Sequence, residues 1–498
     1  MLGPPLWAVG SWEGTDLTLP SGGGATELSS PEFGQIDLQR AVNCYPETVE
    51  VRGGQAISGL TGIPGLATVC LLPTSPVRGM FAQDGRAFVV AGTVLYELDH
   101  NGSYTLRGGA IIDDGKPVTI DSNGPLKDTA ARGNQLYITS GRRGGIYDLL
   151  ANTWTPDVRT DADLACFVDG YFLSLDASTS MVWQSDFENG LAWNGLAKLQ
   201  RNQGSDAFVS MGVNQRMVYL LGSKTSEVWY NAGTSPMAFA PAQSGYFEVG
   251  CGAAASVAWC DNSLMWLGES EQGPGTVWRS SGYQAQRISS HALTQVLKGY
   301  STTSDAVGWA YLDRDHPFYL LSFPTAGATW AYDASTGLWA ERAYWDTSTC
   351  LWAQYKPRFH CYAFGKHLVG DGATGAIYSL DRGTYTDAGG TPLRRMRQGP
   401  YASQRMQRIF HRGCWIDVET GVGNADCLAP QIMFEKSDDK GKTWDSLGDK
   451  PLGAQGNPNT RVEWKRLGSA RQRAYRAIVS DPVPLHYANA YLDIEAGQ

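Results

Sequence analysis

Residues 78–98 read RGMFAQDGRAFVVAGTVLYEL. Three apolar runs, Arg78–Ala82, Arg86–Ala91 and Val94–Leu98, are separated by Asp84-Gly85 and Gly92-Thr93. Runs of this length, rich in β-branched and aromatic residues and bounded by turn residues, read as antiparallel strands. Asp-Gly is a favoured two-residue hairpin link, because a type I′ turn needs φ > 0 at both central positions. The same unit recurs along the chain. Val118–Asp121, Gln135–Thr139 and Gly145–Asp148 carry turns at Asn123-Gly124 and Gly133-Asn134. Ala165–Val168, Tyr171–Leu175 and Met181–Ser185 are turned at Asp169-Gly170, and similar units follow around 207–231, 246–279 and 307–340. Each covers roughly 40–50 residues and three or four strands, the period of propeller blades. Two stacked sandwiches would space their turns alike, but the recurrence of one unit favours a propeller. The expectation is an all-β chain whose residues 76–390 form a β-propeller-like body of about six blades.

Composition agrees with a turn-dense β chain. Glycine is 59 of 498 residues, aromatics are 11 % and charged residues only 18 %. Disorder needs high charge and few aromatics, collagen a strict glycine period, and a coiled coil runs of Ala, Glu, Lys and Leu. Residues 1–75, with Ser21-Gly22-Gly23-Gly24, read as an arm and irregular loops. The start, MLGPPLWAVGSWEG, lacks the basic opening and sustained apolar core of a secretory signal. No apolar run approaches the about 20 residues of a membrane span, so no stable membrane insertion is expected. One short helix is expected in RISSHALTQVLKGY (287–300), where Ile288, Ala292, Leu293, Val296 and Leu297 recur at helical spacing. His291 there reads as a packing or hydrogen-bonding residue. Residues 391–498 read as a C-terminal β-sandwich. The nine cysteines, an odd number without a CxxC pair, read as buried free thiols.

Charge is uneven. Residues 391–498 hold 16 Lys+Arg and 12 Asp+Glu, net +4, which leaves −13 on the rest. An acidic body argues against wrapping nucleic acid and suits a surface past which a polyanion slides. The basic run Arg394, Arg395, Arg397, Arg405, Arg408 is the candidate patch for docking an acidic partner, a solvated face being the plainer reading.

Ser437-Asp438-Asp439-Lys440-Gly441-Lys442-Thr443-Trp444 has the spacing of an Asp box, S-x-D-x-G-x-T-W. It predicts a tight hairpin in which Ser437, Asp439, Gly441, Thr443 and Trp444 are structural: Asp439 accepts backbone N–H bonds and Gly441 takes positive φ. The motif recurs in sialidase propellers, but it occurs once here, and no arginine triad with a tyrosine accompanies it. No local signature selects a carboxylate pair, GxSxG, HExxH or phosphate loop. Asp313, Asp315 and His316 read as a solvated hairpin, and His360 and His367 lack zinc spacing. No catalytic residue, cofactor or metal site is expected.

Several segments carry a resemblance. Asn43-Cys44-Tyr45-Pro46-Glu47 with Gly62-Ile63-Pro64-Gly65-Leu66, and Phe167-Val168-Asp169-Gly170-Tyr171-Phe172 with Ser185-Asp186, are two of them. Leu221-Gly222-Ser223-Lys224-Thr225-Ser226-Glu227-Val228-Trp229-Tyr230-Asn231-Ala232-Gly233 is the most specific; Gly250-Cys251-Gly252, Trp266-Leu267-Gly268 and Arg287-Ile288-Ser289-Ser290-His291-Ala292 follow it. Trp464-Lys465-Arg466-Leu467-Gly468 completes the set. In this order they resemble the packaged-DNA stabilisation proteins, or tail hub (nozzle) proteins, of short-tailed phages. Pro236-Met237-Ala238-Phe239 is less aromatic than that pattern, and residues 1–35 match nothing in it.

The resemblance implies a non-enzymatic virion tail protein, synthesised in the bacterial host cytoplasm. It implies a homo-oligomer, a hexameric ring, below the portal and its head-to-tail adaptor. The ring would continue the DNA channel with transient, non-specific DNA contact. It would also carry a tail needle or plug and the tailspikes or fibres. Two rivals are a propeller glycosidase and a receptor-binding tail protein, each acting on host surface polysaccharide.

Overall fold

The computed structural model describes residues 40–496 apart from 50–56, 125–133, 202, 271–272, 401 and 404–406. Of the expected arm and irregular loops, 1–75, residues 1–39 lie outside the described residues. The described chain is strand almost throughout, with one α-helix, His291–Lys298. The Ser290 side chain caps it by accepting from Leu293 N, and Gly299 ends it.

Successive antiparallel sheets cover 77–108, 119–160, 164–200, 208–247, 250–287 and 307–346. A seventh joins Pro357–Ala363, Lys366–Asp371 and Ala376–Asp381 to Gly65–Leu71 from near the start of the chain. The first strand of each sheet packs on that of the next, save that the fifth sheet makes these contacts through Ala258–Cys260 and Ser263–Ser270, and Pro357–Ala363 packs back on Val77–Gln83, so the ring closes. The described residues therefore make seven blades rather than about six. The seventh escapes a count along the sequence because its outer strand comes from residues read as irregular loop. Pairing the two ends of the propeller in one blade removes the open edges that a linear stack would leave.

The blade strands explain the continuous apolar runs. In Arg86–Ala91, Ala87, Val89 and Ala91 face the core shared with the seventh blade. Phe88 and Val90 face the core shared with Leu136 and Ile138 of the second. Both faces are buried, so the strand does not alternate apolar with polar. Inner hairpins turn at Asp84-Gly85, Asp169-Gly170, Gln215-Arg216, Asp261-Asn262, Arg314-Asp315 and Phe364-Gly365, each with φ > 0 at both residues.

The second unit is a sandwich. One sheet orders Cys44–Val49, Ile57–Gly62, His486–Ala496, Ile409–Val418 and Glu463–Ala470. The other orders Arg40–Val42, Arg395–Gln398, Gln472–Val479, Gln431–Ser437 and Asp445–Pro451. Cys44, Leu60, Cys414, Ile416, Phe434, Trp464, Tyr475, Ala477, Tyr487 and Leu492 fill the space between them. Residues 40–71, read as arm and loops, thus form four strands, three in the sandwich and one in the propeller. Their Gly- and Pro-rich composition hides this, because pairing with distant strands, not local propensity, orders them.

The two units share a sheet. Arg40–Val42 pairs in parallel with Leu338–Asp346, the outer strand of the sixth blade, and antiparallel with Arg395–Gln398. The result is a single sheet of eleven strands running from blade to sandwich. All nine cysteines are free, but only six are buried: Cys70 and Cys427 are half-buried and Cys350 is exposed.

Candidate functional site at the seam and the sandwich end

The Asp-box residues sit together at the end of Gln431–Ser437. Asp439 accepts from Ser437 Oγ (2.8 Å), Lys442 N (3.0 Å), Thr443 N (2.9 Å) and Thr443 Oγ1 (2.6 Å). Thr443 first, then the other donors, hold its carboxyl down at about 2. Gly441 takes φ 79° and donates its N–H to Ser437 Oγ at 2.8 Å. Trp444 lies under the Arg476 guanidinium, 4.2 Å from ring centre to Cζ. Every Asp439 contact here serves the turn, and a carboxylate so saturated is a poor proton acceptor.

Beside this hairpin lies an open pocket of about 330 Å3, lined by Asp438, Ser469, Ala470, Arg471 and Gln472. Arg473 forks onto Asp438 through Nε (2.5 Å) and Nη2 (2.8 Å) and donates through Nη1 to Leu467 O. His411 is buried nearby, its ring 5.6 Å from that of Tyr475. Burial, and then the charge of Arg473, pull its pKa down to about 4, so it is neutral near pH 7.

The basic run does not form one surface. Arg395 and Arg397 are 1 % and 0 % exposed. Their strand is central, flanked by Arg40–Val42 and Gln472–Val479, so both face packed neighbours rather than solvent. Arg394 covers the Trp345 ring at 4.0 Å. Arg408 is exposed, and Arg405 lies outside the described residues. The exposed basic groups of this unit instead include Arg408, Lys465, Arg466 and Arg471.

Sequence reasoning missed the seam. Arg40 forks onto Glu341 through Nε (2.6 Å) and Nη2 (2.7 Å) across 301 positions. Arg382, just past the seventh blade, donates to Gly62 O (2.7 Å), Tyr45 Oη (2.6 Å) and both oxygens of Asp313. One guanidinium thereby ties the sixth blade to the sandwich. No local signal marks these residues, though Asn43-Cys44-Tyr45 lies in a segment that carries the resemblance.

His316, His360 and His367 serve packing or hydrogen bonding, whereas His291, read as such a residue, does not. His316 Nδ1 meets Asp333 Oδ2 at 2.8 Å, and His360 Nε2 meets His367 Nδ1 at 2.9 Å. His291 is the first, exposed residue of the helix. Among the described residues no group of three His, Cys, Asp or Glu could hold a metal ion, and no helix is long and apolar enough to cross a membrane.

Two family models match the chain. One, described as bacteriophage P22 Gp10, β-propeller, covers residues 38–385. The other, described as bacteriophage P22 Gp10, β-sandwich, covers residues 394–495. No curated protein sequence matches. Among solved structures, the N-terminal domain of Nup159 is 10 % identical with TM-score 0.39, over 69 % of this chain and 98 % of that one. The extracellular domain of a putative hybrid two-component system from B. thetaiotaomicron is 9 % identical with TM-score 0.42, over 64 % and 40 %. PorZ of Porphyromonas gingivalis is 9 % identical with TM-score 0.36, over 81 % and 53 %. At such scores these structures carry no argument about function.

Proposed function

The chain belongs to the bacteriophage P22 Gp10 family of phage structural proteins, and on that premise we propose that it is the hub of a short phage tail. As a member of that family it is a virion component. In our reading, copies form a ring, six-fold in the simplest case, below the portal and its adaptor. The ring continues the DNA channel, retains packaged DNA until a plug is displaced, and holds the tail needle and the spikes or fibres. The action is mechanical rather than enzymatic.

The observation that carries this reading is the match of both family models, in order, over 38–385 and 394–495. Physical features support it. A closed propeller hydrogen-bonded into the sandwich through one eleven-stranded sheet suits a part that transmits load without deforming. The −13 carried outside residues 391–498 would keep DNA from adhering to a channel wall. The sandwich end, with Arg408, Lys465, Arg466 and Arg471 exposed, suits docking on an acidic partner.

Negative-stain images of the full-length protein, alone and mixed with portal–adaptor complex, test the reading. Rings on the adaptor, coaxial with the portal channel, are the expected result. A protein that stays monomeric and unbound with the adaptor present would overturn it.

A further inference from the structure

Asn43 adopts φ 56° where the chain crosses from one sandwich sheet to the other. Its Nδ2 donates to Ala343 O (2.7 Å) and Arg394 O (2.9 Å), and its Oδ1 accepts from Ala343 N (3.0 Å). Its own N–H donates to Glu341 O at 3.0 Å. These bonds hold the two sides of Arg342 and the neighbour of Arg395 against one residue. The next residue, Cys44, lies within electrostatic reach of Arg395, Arg342 and Arg397. Arg395 and Arg397, two apart on one strand, project from the same face, and Ala41 opposite Arg397 presents only a methyl group. Arg342, Arg395 and Arg397 therefore lie around Cys44, where the outer strand of the sixth blade and the bridging strands of the sandwich run side by side.

Hydrogen-bond acceptors are short there, and the charge that reaches Arg395 from a carboxylate is that of Asp481, whose side chain is held by Gln431 N. Arg342 is 1 % exposed, yet neither Nη1 nor Nη2 has a hydrogen-bond acceptor among the described residues. Its guanidinium lies over the Phe318 ring at 5.2 Å. Arg395 donates Nη1 to Val483 O (2.5 Å) and Nη2 to Asp481 O (2.6 Å), both neutral carbonyls, and its Nε has no acceptor. Asp313, on the sixth blade, is already forked by Arg382. Cys44 cannot supply the countercharge, because burial pushes its thiol up to about 11. A buried guanidinium is costly unless it is both hydrogen-bonded and neutralised. Water provides acceptors without charge, whereas a small anion provides both.

We propose that a small inorganic anion, a halide or a phosphate, binds at this seam between Arg342 and Arg395 beside Cys44. It accepts from Arg342 Nη1 and Nη2 and from Arg395 Nε. Its binding ties the outer strand of the sixth blade to the bridging strands of the sandwich, so the anion stabilises the junction of the two units.

The test uses the full-length protein in potassium gluconate, replaced stepwise at constant ionic strength by chloride in one arm and phosphate in the other. The wild-type Tm is expected to rise by about 1 °C for each tenfold increase above the dissociation constant of the fitting anion. A response in one arm assigns that anion. Arg342→Met is expected to lose the response and to match or exceed the wild-type Tm in gluconate, since it no longer buries a bare charge. An equal response in both proteins overturns the proposal. Bromide-soaked crystals of the wild type give a reading that needs no variant. An anomalous peak within hydrogen-bond distance of Arg342 Nη1 or Nη2 and of Arg395 Nε supports the site. Water or a protein carboxylate in that place, without anomalous signal, overturns it.

Discussion

The propeller and the sandwich are both antiparallel β-structure, yet the chain builds them in opposite ways. Six of the seven blades are made of consecutive residues, with neighbouring strands following one another along the chain. The sandwich is made from the two ends of the described chain, residues 40–62 and 395–496, with the whole propeller between them. Local hairpins form with little loss of chain entropy, whereas the sandwich must close a loop of several hundred residues. Asn43 and Arg394, which share a hydrogen bond, are 351 positions apart. The seventh blade belongs to both regimes: three of its strands are consecutive and the fourth comes from residues 65–71. One short segment, 40–71, thus closes both units, and the comparison can be broken there.

The largest effect is expected at ring closure. A Cβ on Gly65 would stand 2.3 Å from Thr384 O and 2.6 Å from Thr386 O, both backbone atoms that cannot turn away. Gly65→Ala should cost about 3 kcal/mol or more in calorimetric unfolding. Gly109, in the loop after the first blade, has open space at its Cβ. Gly109→Ala should change stability by less than about 0.5 kcal/mol. Equal costs at the two positions would mean that the closing strand is no more demanding than a local loop.

A somewhat smaller loss is expected at the seam. Asn43→Ala removes three side-chain hydrogen bonds and puts a Cβ residue without a polar side chain at φ 56°, at a cost of about 3 kcal/mol. Asn43→Gly loses the same bonds but tolerates the backbone, and should recover about 1 kcal/mol of that. Denaturant titrations followed at far-UV and tryptophan wavelengths should show one transition for the wild type and two for Asn43→Ala. A single unsplit transition in the variant would show that the shared sheet does not couple the units.

The smallest effect separates the two units by pH. Asp387, buried beside the seventh blade, has its carboxyl pushed up to about 7 by burial. Its folded pKa exceeds the unfolded one, so the native state holds the extra proton and stability falls as pH rises from about 4 to 7. His411 in the sandwich is held down at about 4, so the unfolded state holds the extra proton and stability falls as pH drops from about 6.5 to 4. Asp387→Asn should therefore gain on the wild type at pH 8 relative to pH 4, and His411→Leu at pH 4 relative to pH 8. Each difference should be on the order of 2 kcal/mol, read as the pH dependence of Tm. Parallel pH profiles for wild type and both variants would remove the contrast.

The same contrast governs what could be read in advance. Asp84-Gly85 and Asp169-Gly170 announce their turns, because their residues prefer left-handed backbone. Gln215-Arg216 and Phe364-Gly365 occupy the same kind of turn without the full signature, since strand pairing on either side imposes the conformation. A further local signal was there to find: Asp-Ala-Ser-Thr at 176–179 and again at 333–336. In both, the aspartate accepts from the Ser and Thr hydroxyls and caps the turn between two blade strands. Arg395 and Arg397 were legible only as charges, and charges are usually exposed. Their burial follows from the strands on either side, residues 40–42 and 472–479.

The sequence by itself determined the all-β class, the repeating hairpin unit, the capped helix 291–298 and the turn around Asp439. Each of these rests on residues within a few positions of one another, where backbone preference and side-chain hydrogen bonds act directly. Only the tertiary structure decided the seventh blade, the insertion of the propeller between the first and last strands of the sandwich and the placing of Arg342, Arg395 and Arg397 around Cys44. Those depend on which distant strands pair, and β pairing is set by whole faces and edges rather than by any local spacing.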